Sequence, residues 1–314
     1  NIILIPGLGD SKLIKNNREI WPNNIDINKL NNNDYTSVID NNQHLNSIKT
    51  LLDSLGYHNT KIHTLNYNFT NINKDYIKTL SEELNNQLKT KPSSIIIAYD
   101  FGCTIGNLCL QNISKEDKEN INKFIMICPT IGGVPTAIKE YLSGNSVFNS
   151  KDIINNSGLL LSLPNEQFYS KPIVIYKDVS YFCKDIPILM KLLNHNSINY
   201  IKHKELQEES LKNPNVPVLI ISGNNTTTPI SFDYKNDLTG YPVKYLRKHN
   251  NYTSQNIPET VTGVQDNGDG IVPNTSITKL YNDWKLNTDL KIYNKNHFSI
   301  LKSYDLGILL TANI

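Results

Sequence analysis

Six short apolar runs recur along the chain, separated by stretches in which apolar residues return every three or four positions. They are Ile2-Ile3-Leu4-Ile5, Ile62 to Leu65, Ile95 to Ala98, Phe124-Ile125-Met126-Ile127-Cys128, Val218-Leu219-Ile220-Ile221 and Leu290-Lys291-Ile292-Tyr293. Runs with so little polar alternation suit strands covered on both faces, which is the environment of a parallel sheet. Between them, Ile48, Leu51, Leu52 and Leu55 share one helical face that Gly56 can end, and Ile77, Leu80, Leu84 and Leu88 share another. Strands alternating with helices predict an α/β fold with a mostly parallel central sheet flanked by helices.

Two stretches break the alternation. Residues from about 10 to 45 form a long Asn-rich connection, expected to be a lid-like N-terminal loop. Residues 132–215 are irregular and rich in Leu, Tyr and Pro, and read as a helical cap inserted between two parts of the core, 1–131 and 216–314. Leu159 to Pro164 and Ile186 to Leu193 are apolar enough to line an acyl channel or touch a bilayer, although ordinary cap core explains any one of them. An apolar fraction of 39% supports a substantial core, and a net charge of +2 with both signs interspersed gives no basis for nucleic-acid binding. Cys103, Cys109, Cys128 and Cys183 lack metal-ligand spacing and are expected to be small buried hydrophobes. No metal or cofactor is expected. No run reaches membrane-span length, and the chain starts at Asn1 inside a strand. A removed leader, a soluble or peripheral membrane location and a monomer are the expectations.

The chemistry concentrates at the ends of these strands. Ala98-Tyr99-Asp100-Phe101-Gly102 follows one apolar run and precedes the helical pattern of Cys103 to Leu108. Strand, tight turn and helix is the context of the nucleophile elbow of α/β-hydrolases, whose signature is small-x-Ser-x-Gly; Asp100 stands at the nucleophile position. Pro6-Gly7-Leu8-Gly9 follows the first strand, where such a fold takes one oxyanion-hole N–H, so Leu8 and Phe101 are the expected donors. Asn267 to Pro273 is a tight turn centred on Asp269, and His297 follows the last strand. Alone, an Asp-Gly turn or a late histidine is usually structural. The order nucleophile, acid, histidine is the order this fold uses, which makes Asp100, Asp269 and His297 a triad-like set.

Five segments together resemble the lecithin–cholesterol acyltransferase family, which includes lysosomal phospholipase A2 and phospholipid:diacylglycerol acyltransferases. They are Ile5 to Leu13 with Trp21-Pro22; Leu65-Asn66-Tyr67-Asn68-Phe69, where the family tends to have Tyr-Asp-Trp-Arg; the elbow; Cys128 to Gly133 with Leu142-Ser143-Gly144; and Gly268 to Pro273 with His297. The resemblance runs nearly the length of the chain. It implies acyl transfer from a phospholipid to an acceptor alcohol, a sterol or water, with transient membrane-surface contact and no metal. It also places Gly7, Trp21 and Tyr99 at the substrate. Asp100 falls on the family's serine, and Ala98-Tyr99 replaces its Gly-His.

An aspartate there changes the chemistry. Acylating it would give a mixed anhydride, and a carboxylate has no proton for a base to remove, so nucleophile–base logic fails. Asp100 is expected to pair with His297 and raise its pKa. Three readings stay open: a lipid acyltransferase or phospholipase fold with little activity, a lipid-binding pseudoenzyme, and an Asp-nucleophile hydrolase of the haloalkane dehalogenase or epoxide hydrolase type. The last would need cap donors for the leaving group, and the cap offers Tyr141, Tyr169, Tyr176 and Tyr181.

Overall fold

The computed structural model describes residues 1–15, 18–21, 36–37, 43–57, 62–90, 92–143, 156–240 and 262–314. All six apolar runs are strands of one parallel sheet. Numbered along the chain, they are β1 (Ile2–Ile5), β5 (Ile62–Thr64), β6 (Ser94–Tyr99), β7 (Ile121–Ile127), β10 (Val218–Gly223) and β13 (Thr288–Tyr293). Their spatial order is β13-β10-β7-β6-β1-β5, with every neighbouring pair parallel.

Successive strand residues point to opposite faces, and two separate cores result. Ile3, Ile5, Ile96, Ala98, Phe124, Met126, Val218 and Ile220 pack on one side of the sheet, joined by Ile77, Leu80, Leu84 and Leu88 of the helix Lys74–Thr90. Ile2, Leu4, Ile95, Ile97, Ile125, Ile127, Leu219 and Ile221 pack on the other, against Leu45, Ile48 and Leu52 of the helix Gln43–Ser54 and Leu306 and Leu310 of the helix Tyr304–Asn313. This explains the missing alternation in the strands, because both faces are dry. Gly56 follows the helix Gln43–Ser54 with φ +87°, a conformation glycine adopts without steric cost.

The chain leaves β1 toward β5 on one side and returns to β6 on the other. The crevice between the carboxyl ends of β1 and β6 is therefore the topological switch point, where open α/β sheets bind ligands. The turn Pro6-Gly7-Leu8-Gly9 and the residue Asp100 stand at those two ends.

Two expectations differ from what is found. Within the 10–45 stretch, β2 (Leu13–Lys15), β3 (Arg18–Trp21) and β4 (Thr36–Ser37) form a small antiparallel sheet, so its described part is not simply loop. Leu13 and Trp21 are buried, and the Trp21 ring meets Phe69 edge-on at 5.5 Å, which anchors the sheet to the core. Pro22, Gly144 and most of the 10–45 stretch lie outside the described residues.

The 132–215 stretch holds the helices Pro135–Ser143, Ser157–Leu161, Ile186–Leu192 and Ile198–Ser210, but also a hairpin. Its strands β8 (Val174–Tyr176) and β9 (Val179–Tyr181) are joined by Lys177 and Asp178, at φ 50° and 61°. Two consecutive residues with positive φ make the turn whose twist suits a two-residue hairpin. Lys-Asp lacks the usual Asn-Gly signal, so the hairpin did not show in the sequence. Through β8 it joins β11 (Thr226–Tyr234), which pairs in turn with β12 (Thr262–Gly268). The four cysteines are buried and free. Among the described residues, no helix is long and apolar enough to cross a membrane.

Candidate active site

The elbow is built by close approach. Asp100 follows β6 at φ 52° and ψ −125°, a strained conformation for a residue with a side chain. The helix Phe101–Gln111 starts immediately after it. At Gly102 a Cβ would lie 2.3 Å from the Pro6 carbonyl oxygen and 2.5 Å from that of Ile5, so only glycine lets the helix seat against the first turn. This packing thrusts the Asp100 side chain out of the sheet toward the Pro6–Gly9 turn.

There the carboxylate is held from two sides. The Leu8 N–H donates to Asp100 Oδ2 at 3.0 Å, and His297 Nε2 lies 3.5 Å from Oδ1. The other ring nitrogen of His297, Nδ1, is 2.8 Å from Asp269 Oδ2. Asp269 Oδ1 accepts from the N–H groups of Ile271 (2.9 Å) and Val272 (2.7 Å), and the His297 N–H donates to the Asp269 carbonyl at 2.9 Å. The structure thus brings Asp100, Asp269 and His297 into one chain of contacts, with Asp269 and His297 fully buried.

The electrostatics follow. Burial alone would lower the His297 pKa, and Cys128, Asp269 and Asp100 together hold it well above the usual value. The Cys128 thiol is itself pushed up to about 11 by burial, so it is neutral at physiological pH and the two carboxylates are the effective cause. Burial acts to raise the Asp269 pKa, but His297 and the two backbone donors outweigh it and hold the carboxyl below its ordinary value.

The other expected residues fall as follows. Leu8, Phe101, Trp21 and Tyr99 line a cavity of about 420 Å3 together with Asp100 and His297. Phe101 is the first residue of its helix, where an N–H has no intrahelical acceptor. Tyr99 donates its hydroxyl to the His297 carbonyl at 3.2 Å, and Trp21 Nε1 donates to the Gly9 carbonyl at 2.6 Å, so both present ring faces rather than free donors. Gly7 is not on the cavity wall. A Cβ there would stand 3.0 Å from Asp10 Oδ2 and 3.1 Å from Asp100 Oδ2, so its contribution is the room it leaves.

Several site residues were not singled out from the sequence. Asp10 accepts from the Gly7 N–H at 3.1 Å and lies 3.1 Å from His44 Nδ1, while the His44 ring stacks on Phe298 at 5.2 Å. Tyr67 donates its buried hydroxyl to both the Pro6 (2.9 Å) and Gly7 (3.0 Å) carbonyls and so fixes the turn that carries the Leu8 N–H. Asp10 and Tyr67 lie inside segments that the family resemblance marks, and that position was their signal. Cys128, at φ 50°, carries its sulfur beside Asp269 and His297. These three could ligate a metal, but an ion there would compete with the 2.8 Å contact between His297 and Asp269.

No protein-family model matches the sequence, and no curated protein matches it. Solved structures do. The crystal structure of a Tle4–Tli4 complex is similar over 99% of this chain and 96% of that one, with a TM-score of 0.63 and 12% identity. An extracellular α/β-hydrolase from a Paenibacillus species is similar over 99% and 98%, with a TM-score of 0.41 and 10% identity. Phospholipase PlaB from Legionella pneumophila covers 71% of this chain, which spans 38% of PlaB, with a TM-score of 0.36 and 14% identity. Identities this low speak to fold alone.

The chain has the α/β-hydrolase fold. The parallel sheet order, the elbow after β6 and a histidine after the last strand agree with that assignment. Within this fold Asp269 and His297 form a buried acid–histidine pair, and the Asp100 carboxylate stands at the turn after β6 beside that histidine.

Proposed function

We propose that this α/β-hydrolase fold is a lipid-ester scaffold of the phospholipase A or lipid O-acyltransferase type, held nearly silent by Asp100. Its ligands are a phospholipid and an acceptor alcohol, sterol or water, met in transient contact with a membrane surface, and residues 132–215 serve as its cap. One observation carries the silence: Asp100 Oδ2 already occupies the Leu8 N–H. A tetrahedral intermediate needs that donor for its own oxygen. The carboxylate blocks it, offers no proton to His297 and keeps the imidazole in its cationic form.

With serine at the same position the geometry supports acyl transfer. The hydroxyl would stand before His297 Nε2, which takes its proton as the oxygen attacks the ester carbonyl. Asp269 holds Nδ1–H and stabilises the imidazolium. The Leu8 and Phe101 N–H groups receive the developing oxyanion. His297 then protonates the departing lysolipid oxygen, and an alcohol or water reverses the sequence to release the acyl group. Leu8, Val134, Ala137, Leu159, Ile271 and Phe298 give the cavity an apolar wall suited to a fatty acyl chain.

A second reading draws on the same carboxylate. With Oδ2 fixed by Leu8, Oδ1 is the atom that would attack an alkyl carbon, forming an ordinary ester while halide or alkoxide leaves. Water deprotonated by His297 would then hydrolyse that ester. The Trp21 and Tyr99 donors that could assist a leaving group are committed to backbone carbonyls, which favours the first reading.

The test compares the native chain with Asp100→Ser on phosphatidylcholine vesicles, reading released and transferred fatty acid by mass spectrometry. Loss of a triad nucleophile costs about 10⁶-fold in kcat in a well-studied protease, so the serine form should exceed the native chain by several orders of magnitude. Turnover by the native chain and none by Asp100→Ser would overturn the acyl-transfer reading. Haloalkane or epoxide turnover that vanishes in Asp100→Asn would establish the second.

A further inference from the structure

The polar groups around the cavity are largely satisfied. Tyr99 and Trp21 donate to backbone carbonyls, the Ser162 hydroxyl donates to the Gly158 carbonyl at 2.7 Å, and Asp10 and Asp100 each accept a backbone N–H. Thr130 Oγ1 and Glu140 Oε2 are different: both atoms are buried, both residues line this cavity, and neither atom has a hydrogen-bond partner among the described residues. Thr130 is only 4% exposed. A buried hydroxyl or carboxyl oxygen without a partner is costly, and native structures rarely keep one without a reason.

Their placement is ordered. The helix Pro135–Ser143 turns Ala137 and Glu140 toward the cavity, and Val134, just before it, continues the same three-residue spacing. An apolar stripe thus ends on a carboxyl group. Lys139 Nζ is 3.7 Å from Glu140 Oε1, so a cation already faces the other oxygen. Burial raises the Glu140 pKa, with Lys139 opposing.

We infer that Thr130 and Glu140 form a polar subsite for the hydroxyl end of an uncharged amphiphile whose chain lies along the apolar wall. A hydroxyl can donate to Glu140 Oε2 and accept from the Thr130 hydroxyl, whereas a quaternary ammonium can do neither and would meet Lys139. This inference rests on the lipid reading of the cavity and adds which chemical group that cavity selects.

The test is calorimetric titration of the native chain with 1-decanol, decyl methyl ether and decyltrimethylammonium. The ether keeps the chain and an acceptor but cannot donate. The alcohol should bind about tenfold more tightly than the ether, the factor expected from one unmade buried hydrogen bond, and more tightly than the ammonium. Glu140→Gln should reduce decanol affinity several-fold while leaving the ether unchanged, and Thr130→Val, close in shape, should weaken alcohol and ether alike, with thermal melting confirming the fold. If ether and alcohol bind native protein equally, or the ammonium binds best, the subsite is refuted and the lipid reading stands. If none of the three binds, both fall.

Discussion

Replacing Asp100 by Asn isolates the electrostatic core of the site. His297 Nε2 stands 3.5 Å from Asp100 Oδ1, and Asp100 is 19% exposed at its side chain, so the pair is shielded from water. At an effective dielectric near 20, opposite charges at that separation attract by about 5 kcal/mol, and desolvation offsets part of this. The amide keeps an oxygen for the Leu8 N–H but turns a dipole, not a charge, to the imidazolium. We expect a loss of about 3 kcal/mol in acid to neutral solution. The sign is fixed by linkage. A histidine whose folded pKa is raised contributes stability fully below its unfolded value near 6.5, and that contribution disappears as pH rises through the folded value. Native protein should therefore hold its advantage over Asp100→Asn below about pH 6.5 and lose it on the alkaline side. Urea unfolding of both proteins from pH 5.5 to 10, with imidazole resonances followed by NMR, measures the gap and assigns it. A constant gap across that range, or a His297 titration unmoved by the substitution, would refute the paired-charge account.

Gly102→Ala should destabilise the fold by roughly 1–3 kcal/mol or prevent it, because the new methyl group would meet two backbone carbonyl oxygens at 2.3 and 2.5 Å; chemical denaturation reads the loss. Tyr67→Phe removes the donor that the Pro6 and Gly7 carbonyls share. It should cost about 1–3 kcal/mol of stability, and in the Asp100→Ser background it should lower kcat more than it raises KM, since it loosens the turn that carries the oxyanion donor.

The sheet was legible because its strands are dry on both faces. Ile95 to Ala98 and Val218 to Ile221 could hardly be anything but buried strands, and Asp100 and His297 were picked out by their places after strands and Asp269 by its tight turn. The hairpin Val174–Tyr181 was not legible, since Lys177 and Asp178 adopt positive φ without the residues that usually announce it. Its partner β11 begins with Thr226-Thr227-Thr228-Pro229, which has no apolar run to find. The pairs at the site were hidden for another reason. Asp10 with His44, and Tyr67 with the Pro6–Gly7 carbonyls, join residues 34 and about 60 positions apart, and only the folded chain brings them together. Thr130 had only its place in the Cys128–Gly133 segment as a signal and Glu140 had none, because their significance lies in the partners they lack.

A serine hydrolase leaves its oxyanion hole vacant in the resting state so that the transition state can fill it. Here, on the proposed reading, the resting side chain already takes one of its two donors. The carboxylate receives the Leu8 N–H, sits before the His297 imidazole and rests on a histidine that Asp269 already orients. Each of these contacts stabilises the ground state, and none is strengthened by an approaching ester carbonyl. Interactions that favour the ground state as much as the transition state do not lower a barrier. On that reading, the strained conformation that Asp100 keeps at φ 52° serves no acyl-transfer step here. On the proposed reading, the strained turn, the buried acid–histidine pair and the apolar cavity are the parts that would bind and orient a lipid. On that reading Asp100 puts a carboxylate where acyl transfer would need a hydroxyl oxygen.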